Sequence, residues 1–235
     1  MYGKFFGLGV GPGDPELVTI KAINRLKEVD VVIAPETAAG KGSVAYDIVR
    51  TYIEDEKKVK FQIFPMTYDT KILDESWDKN MKEILALLHE GKDVAFITLG
   101  DPMVYSTYGY VMQRITSQGI EVETIPGIPS FCAAASRLGI PLSEANETIA
   151  IIPAAYTCEK FDEILDVADN IVLMKPSRGF KNTVEKLEQH DLIKDTVLIS
   201  KCGHVEEKIS YDIASLKDEK IDYLSMLIAK KRGQK

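Results

Sequence analysis

Residues 7–19 read GLGVGPGDPELVT, with four glycines and two prolines set between the apolar run Phe5–Leu8 and a stretch of helical spacing. The pattern predicts a glycine-rich turn at the carboxyl end of a first strand, the place where open α/β sheets hold small ligands. Glycine lets the main chain come close to a ligand, and Pro12 and Pro15 stiffen the bend. A dinucleotide fingerprint fails here. Begun at Gly7 it needs a glycine where Pro12 stands, and begun at Gly9 it needs one where Asp14 stands. The phosphate-loop pattern fails as well, because Pro35 replaces the leading glycine ahead of Gly40-Lys41-Gly42-Ser43. The loop is therefore read as built for a ligand other than a polyphosphate. A nicotinamide-dependent oxidoreductase, with Glu36 on a ribose hydroxyl, is the alternative from a different class.

Working outward, strand-like runs alternate with helical ones. Lys4–Val10 precedes Glu16–Val29, where Leu17, Ile20, Ile23 and Leu26 recur at helical spacing. Asp30–Ala34 is followed by a helix over Ser43–Ile53 that Ser43 can cap, and Lys60–Phe64 by a long helix over Asp74–Glu90. Asp93–Leu99 is the most apolar strand, and a helix over about 108–117 comes next. Glu121–Ile125 reads as a strand, Pro126-Gly127-Ile128-Pro129 as a stiff break, and Ser130–Leu138 as a small-residue helix. Later strands are expected at Thr148–Ile152, Asn170–Lys175, Thr196–Lys201, Glu206–Ile213 and Tyr223–Lys230, the last of them close together. The fold class is α/β: two α/β/α lobes with a ligand cleft between them. The N-terminal sheet is expected to be mostly parallel and the C-terminal sheet mixed. Lobes over 1–120 and 130–235 are joined by a linker at 121–129.

Composition narrows the function classes. A chain of 235 residues with 45% hydrophobic and 28% charged residues reads as an ordinary soluble globular protein. A formal net charge of −7 argues against nucleic acid, and Lys230-Lys231-Arg232 with Lys235 reads as a solvated tail. No apolar run reaches membrane-spanning length, and the N-terminus reads as a first strand rather than a signal peptide. Three widely spaced cysteines, Cys132, Cys158 and Cys202, suit a reducing cytoplasm. Cys202 and His204 lack companion ligands, so no metal site is expected.

Two further segments carry ligand-loop chemistry. In TLGDPMVYST (98–107) an acidic turn runs straight into hydroxyl-bearing residues, and Ser106 or Thr107 can cap the next helix. In IPGIPSFCAAASRLGIPL (125–142) a proline-framed turn opens an alanine-rich helix. With GLGVGPGDPELVTIKA (7–22), IVLMKPSR (171–178) and YLSMLIAKK (223–231), these segments resemble the tetrapyrrole (corrin/porphyrin) methyltransferases over nearly the whole chain. The wording LGDPMVYST is most similar to the branch that methylates C20 of precorrin-2 or cobalt-factor II, in cobalamin biosynthesis. Methylation at another ring position is the alternative within the family.

The resemblance implies S-adenosylmethionine as co-substrate and a homodimeric, cytoplasmic enzyme. It places the cofactor at Pro12, Leu99, Gly100, Asp101, Val104, Tyr105, Ser130, Phe131, Met174 and Leu224. Asp101 is the expected acceptor of hydrogen bonds from the cofactor. A sulfonium is a good leaving group, so catalysis rests mainly on positioning. No catalytic group is assigned, with His204 the one weak candidate. Met103, Tyr105 and Tyr108 are expected as an apolar floor for the ring. Some of Arg137, Lys175, Arg178 and Lys201 are expected at its carboxylates.

Overall fold

The computed structural model describes residues 2–67, 69–153 and 155–231. Two compact units divide the chain, Met1–Pro129 and Ser130–Lys235. The first is built on β1 (Phe5–Gly9), α1 (Ile20–Glu28), β2 (Val31–Glu36), α2 (Val44–Val49), β3 (Val59–Ile63), α3 (Thr70–His89), β4 (Val94–Thr98), α4 (Tyr108–Thr116) and β5 (Val122–Ile125). Its five strands lie in the order β3-β2-β4-β1-β5, every pair parallel. Both faces of this sheet are covered, which is why β1 and β4 are buried along their length and apolar but for Thr98 at the end of β4. Leu26 of α1 and Ile48 of α2 pack with Phe6, Leu8, Ala95 and Ile97 on one face. On the other face, Ile84 and Leu88 of α3 and Val111 and Ile115 of α4 pack with Phe5, Ile33 and Phe96. Each buried Leu, Ile, Val or Phe among these contributes about 1.5–3 kcal/mol.

The second unit holds α5 (Ser130–Leu138), β6 (Ile149–Ile152), α6 (Phe161–Val167), β7 (Asn170–Met174), α7 (Phe180–Gln189), β8 (Thr196–Ser200), β9 (Lys208–Ser210) and β10 (Ser225–Lys230). Its sheet has the order β6-β7-β10-β8-β9, with β6 parallel to β7 and the remaining pairs antiparallel. Phe161 and Leu165 of α6 and Phe180, Val184 and Leu187 of α7 close one core with Ile171, Leu173, Leu198 and Leu227.

Several expectations change at this level. The stretch 121–129 is not a free linker: β5 hydrogen-bonds along β1, so the first unit runs on to Pro129. The predicted first helix splits in two. Asp14 caps a short 3₁₀ turn at Pro15–Leu17, and Thr19 caps α1 through the Ala22 N–H. Ile20 is consequently 78% exposed, and the buried stripe of α1 is Ala22 and Leu26 instead. Lys230 is no tail residue, since it ends β10 and pairs with Glu144 at 2.7 Å. Arg232 and Lys235 lie outside the described residues. Among the described residues no helix is long and apolar enough to cross a membrane, and no cluster of His, Cys, Asp and Glu could hold a metal ion.

Candidate functional site

In the first unit β1 and β4 are neighbours, yet the helices that follow them, α1 and α4, cover opposite faces. A crevice opens between two strand ends whose chains part in this way, and ligands of open α/β sheets bind there. The loops after β1 and β4 are joined across that point. Gly11 donates to the Gly100 carbonyl at 3.2 Å, and Gly100 donates back to Gly11 at 2.7 Å. Both glycines are left-handed, with φ of 77° and 72°. A third loop, after β5, comes in against them. A Cβ on Gly127 would strike the Gly100 carbonyl and the Gly9 main chain, and a Cβ on Gly9 would strike Gly127. Three loops thus meet main chain to main chain, which requires glycine at the contact.

Asp101 fastens this arrangement. Its Oδ1 accepts from the Met103 N–H at 2.8 Å, and its Oδ2 accepts from the Gly127 N–H at 3.0 Å. Next in the chain, Ser106 Oγ contacts Thr98 Oγ1 at 2.8 Å and accepts from the Tyr108 N–H at 3.1 Å, which seats the start of α4. Pro12 and Gly100 are buried, while Leu99 and Val104 are half-buried beside them. Met103 and Tyr105 are 63% and 51% exposed, and Tyr105 sits at φ 49°, an uncommon conformation for so large a side chain.

Tyr108 does not belong to any ligand floor. It is fully buried, stacked on Phe5 at 6.0 Å, and its hydroxyl lies 2.6 Å from Thr124 Oγ1. Burial pushes its phenol pKa up, against the opposing pull of the Thr124 hydrogen bond. Gly7 is explained by the same ring, because a Cβ there would run into the Tyr108 side chain. Neither Gly7 nor Gly9 therefore faces a pyrophosphate, and the dinucleotide reading loses its footing.

In the second unit, four of the expected residues gather at one end of the sheet. Met174 ends β7 opposite Met226, and Ser200 ends β8 opposite Ser225. Just beyond, Lys175 donates to the Ser225 carbonyl at 3.1 Å and Lys201 to the Leu224 carbonyl at 2.7 Å. Lys175 and Lys201 both turn left-handed there, with φ of 52° and 51°. Ser130 and Phe131 open α5.

The expected cations already have partners. Arg137 Nε donates to Glu207 at 2.6 Å, and that contact holds the guanidinium pKa up. Lys201 pairs with Glu206, and with Asp222 at 3.6 Å. The Lys175 and Arg178 cations lie 5.7 Å and 5.3 Å from the ring centres of Tyr223 and Tyr156. His204 lies in the loop between β8 and β9, its Nε2 buried with no hydrogen-bond partner among the described residues. Beside it Cys202 is buried. Desolvation, reinforced by the Glu207 charge, raises its thiol pKa to about 11. Sequence reasoning missed Gly9 and Gly127 as contact points, because a glycine that admits a neighbouring loop reads the same as one that admits a ligand.

Residues 4–216 match the family described as Tetrapyrrole (Corrin/Porphyrin) Methylases. A probable cobalt-precorrin-2 C(20)-methyltransferase of Methanocaldococcus jannaschii is 38% identical over 97% of this chain and 96% of its own length. The cobalt-precorrin-2 C(20)-methyltransferase of Salmonella typhimurium is 31% identical over 100% and 99%. Among solved structures, uroporphyrin-III C-methyl transferase from Thermus thermophilus, complexed with S-adenosyl homocysteine, superposes with a TM-score of 0.72 at 19% identity, covering 97% of this chain and 98% of that one. The last likeness speaks for the fold, and the first two reach across the full sequence. The chain belongs to the tetrapyrrole (corrin/porphyrin) methylase family.

Proposed function

We propose that this protein transfers a methyl group from S-adenosylmethionine to the meso carbon C20 of precorrin-2 or of its cobalt-bearing counterpart, cobalt-factor II. The observation that carries the reading is the end-to-end similarity to two proteins named as cobalt-precorrin-2 C(20)-methyltransferases. The cobalt-bearing ring is preferred for the same reason.

The first unit fits a sulfonium nucleoside. Such a ligand needs apolar contacts and main-chain hydrogen bonds rather than a cationic phosphate cradle. The strand-end loops supply buried Pro12 with half-buried Leu99 and Val104. When bound, S-adenosylmethionine brings an activated methyl on a good leaving group, so the protein has only to align and exclude. Positioning of this kind is worth about 7–11 kcal/mol in favourable cases. Met103 and Tyr105 present exposed apolar surface on which a planar macrocycle can rest. In the second unit Met174 and Leu224, at the sheet end, are the proposed further cofactor contacts, with Ser130 and Phe131 at the start of α5. Lys175 and Arg178 are the proposed carboxylate contacts; Arg137 and Lys201 are held by Glu207 and Glu206.

The test is to incubate the protein with S-adenosylmethionine and reduced cobalt-factor II or precorrin-2, then to follow mass and carbon-13 methyl signals. One added methyl at C20 is expected. A methyl at another carbon gives the neighbouring activity in the family, and no methyl on either ring overturns the reading. His204→Ala is expected to slow turnover less than about tenfold, whereas a true general base typically contributes 10²–10⁴. A homodimer is proposed from the resemblance and is tested by light scattering. Three free thiols support a cytoplasmic location.

A further inference from the structure

We propose that Asp101 is a positioning residue, a latch that fixes the loop after β5 against the loop after β4 before any cofactor arrives. The proposal deepens the proposed function and rests on it for the affinity measurement below.

Both oxygens of this carboxylate are engaged on main-chain donors of different loops. Oδ1 closes a local turn on the Met103 N–H at 2.8 Å, and Oδ2 reaches 26 residues ahead to the Gly127 N–H at 3.0 Å. Other aspartates in the chain form the local turn alone: Asp14 with the Glu16 N–H and Asp55 with the Lys57 N–H. An asparagine would serve for that local turn, since its one carbonyl oxygen suffices. The second bond is what demands a carboxylate. An asparagine that kept Oδ1 on Met103 would turn its NH₂ toward the Gly127 N–H, donor against donor.

The bond falls where the three loops are closest. Gly127 lies against Gly9 and the Gly100 carbonyl, and Gly100 is itself paired to Gly11. Holding the Gly127 N–H therefore sets the distance from the loop after β5 to both other loops at once. A site whose walls are fixed beforehand binds with less loss of conformational freedom, and that gain appears as affinity. A direct-contact role makes a different claim, because it leaves the loops in place when Asp101 is altered.

Amide hydrogen exchange in the ligand-free protein separates the two. In the wild type the Gly127 amide is expected to exchange at least about tenfold more slowly than the Ile128 amide, after correction for intrinsic rates. In Asp101→Asn that protection is lost, and affinity for S-adenosylhomocysteine, measured by titration calorimetry, falls about tenfold to a hundredfold, as for loss of a charged hydrogen bond. Asp55→Asn, which keeps an equivalent local turn remote from these loops, changes neither quantity. An unprotected Gly127 in the wild type overturns the latch without recourse to any variant. Retained protection with lost affinity in Asp101→Asn assigns a direct contact instead, and retained affinity with lost protection removes the link to binding. Should the wild type fail to bind S-adenosylhomocysteine at all, the proposed function falls, while the exchange data still judge the latch.

Discussion

At the scale of single residues, burial separates side chains that look alike in sequence. Tyr105 and Tyr108 stand three apart in one hydroxyl-rich run, yet one is 51% exposed and the other fully buried. Sequence could not tell them apart, because the left-handed turn at Tyr105 throws its ring outward and the start of α4 throws the other inward. Tyr108→Phe deletes the hydroxyl that meets Thr124 at 2.6 Å. It is expected to cost about 0.5–1.5 kcal/mol of stability in denaturant unfolding and to leave kcat/KM unchanged. A selective loss of activity would return Tyr108 to the substrate floor. Cys202 provides a second residue-level test. Its thiol pKa is about 11 in the fold, against 9.0 for a free thiol. The folded state therefore favours the protonated form. Its contribution is whole below about pH 9 and is lost as pH rises through about 11. Cys202→Ala is expected to flatten the fall of stability across that window, read as the difference between the two unfolding curves.

At the scale of elements, the strands were the legible part. Buried parallel strands such as Phe5–Gly9 and Val94–Thr98 are built on continuous apolar runs, the second ending at Ile97, and glycine or proline follows each closely. Helix ends were less legible because capping chemistry, rather than apolar spacing, sets them. The helix α3 starts at Thr70, four residues ahead of the expected Asp74, since Asp69 Oδ1 accepts from the Lys71 and Ile72 N–H groups at 3.0 and 3.4 Å. Asp69→Ala is expected to lower stability by about 1 kcal/mol, seen as a lower urea midpoint at unchanged slope. The strand β9 is only Lys208–Ser210, shorter than the predicted Glu206–Ile213. Glu206 and Glu207 are drawn into the preceding loop by Lys201, Arg137 and the Gly203 N–H, contacts that no local pattern foretells. The join at 121–129 was misread for a related reason. Proline and glycine at 126–129 look like a boundary, but β5 just before them belongs to the first sheet.

At the scale of the whole molecule, the question is how a chain of net charge −7 meets a substrate that carries many carboxylates. Two terms oppose each other. The net charge repels the ring at a distance, and salt weakens that repulsion, so it would make kcat/KM rise with ionic strength. Local cations attract the ring, and salt weakens that attraction, so they would make kcat/KM fall. The described structure favours the local term at a few positions only. Lys175 rests against the Tyr223 ring, a contact that leaves its charge in place, and Arg178 lies over the Tyr156 ring, whereas Arg137 and Lys201 are paired with carboxylates. The expected outcome is that kcat/KM for the tetrapyrrole falls between about 20 and 300 mM salt, over which the screening length shrinks roughly fourfold. Lys175→Gln and Arg178→Gln should each raise the tetrapyrrole KM about tenfold, as for a lost charged hydrogen bond, with the KM for S-adenosylmethionine unmoved. A kcat/KM that climbs with salt, together with an unaltered KM in both variants, would show that the net charge governs encounter. The carboxylate contacts would then have to be sought among other residues.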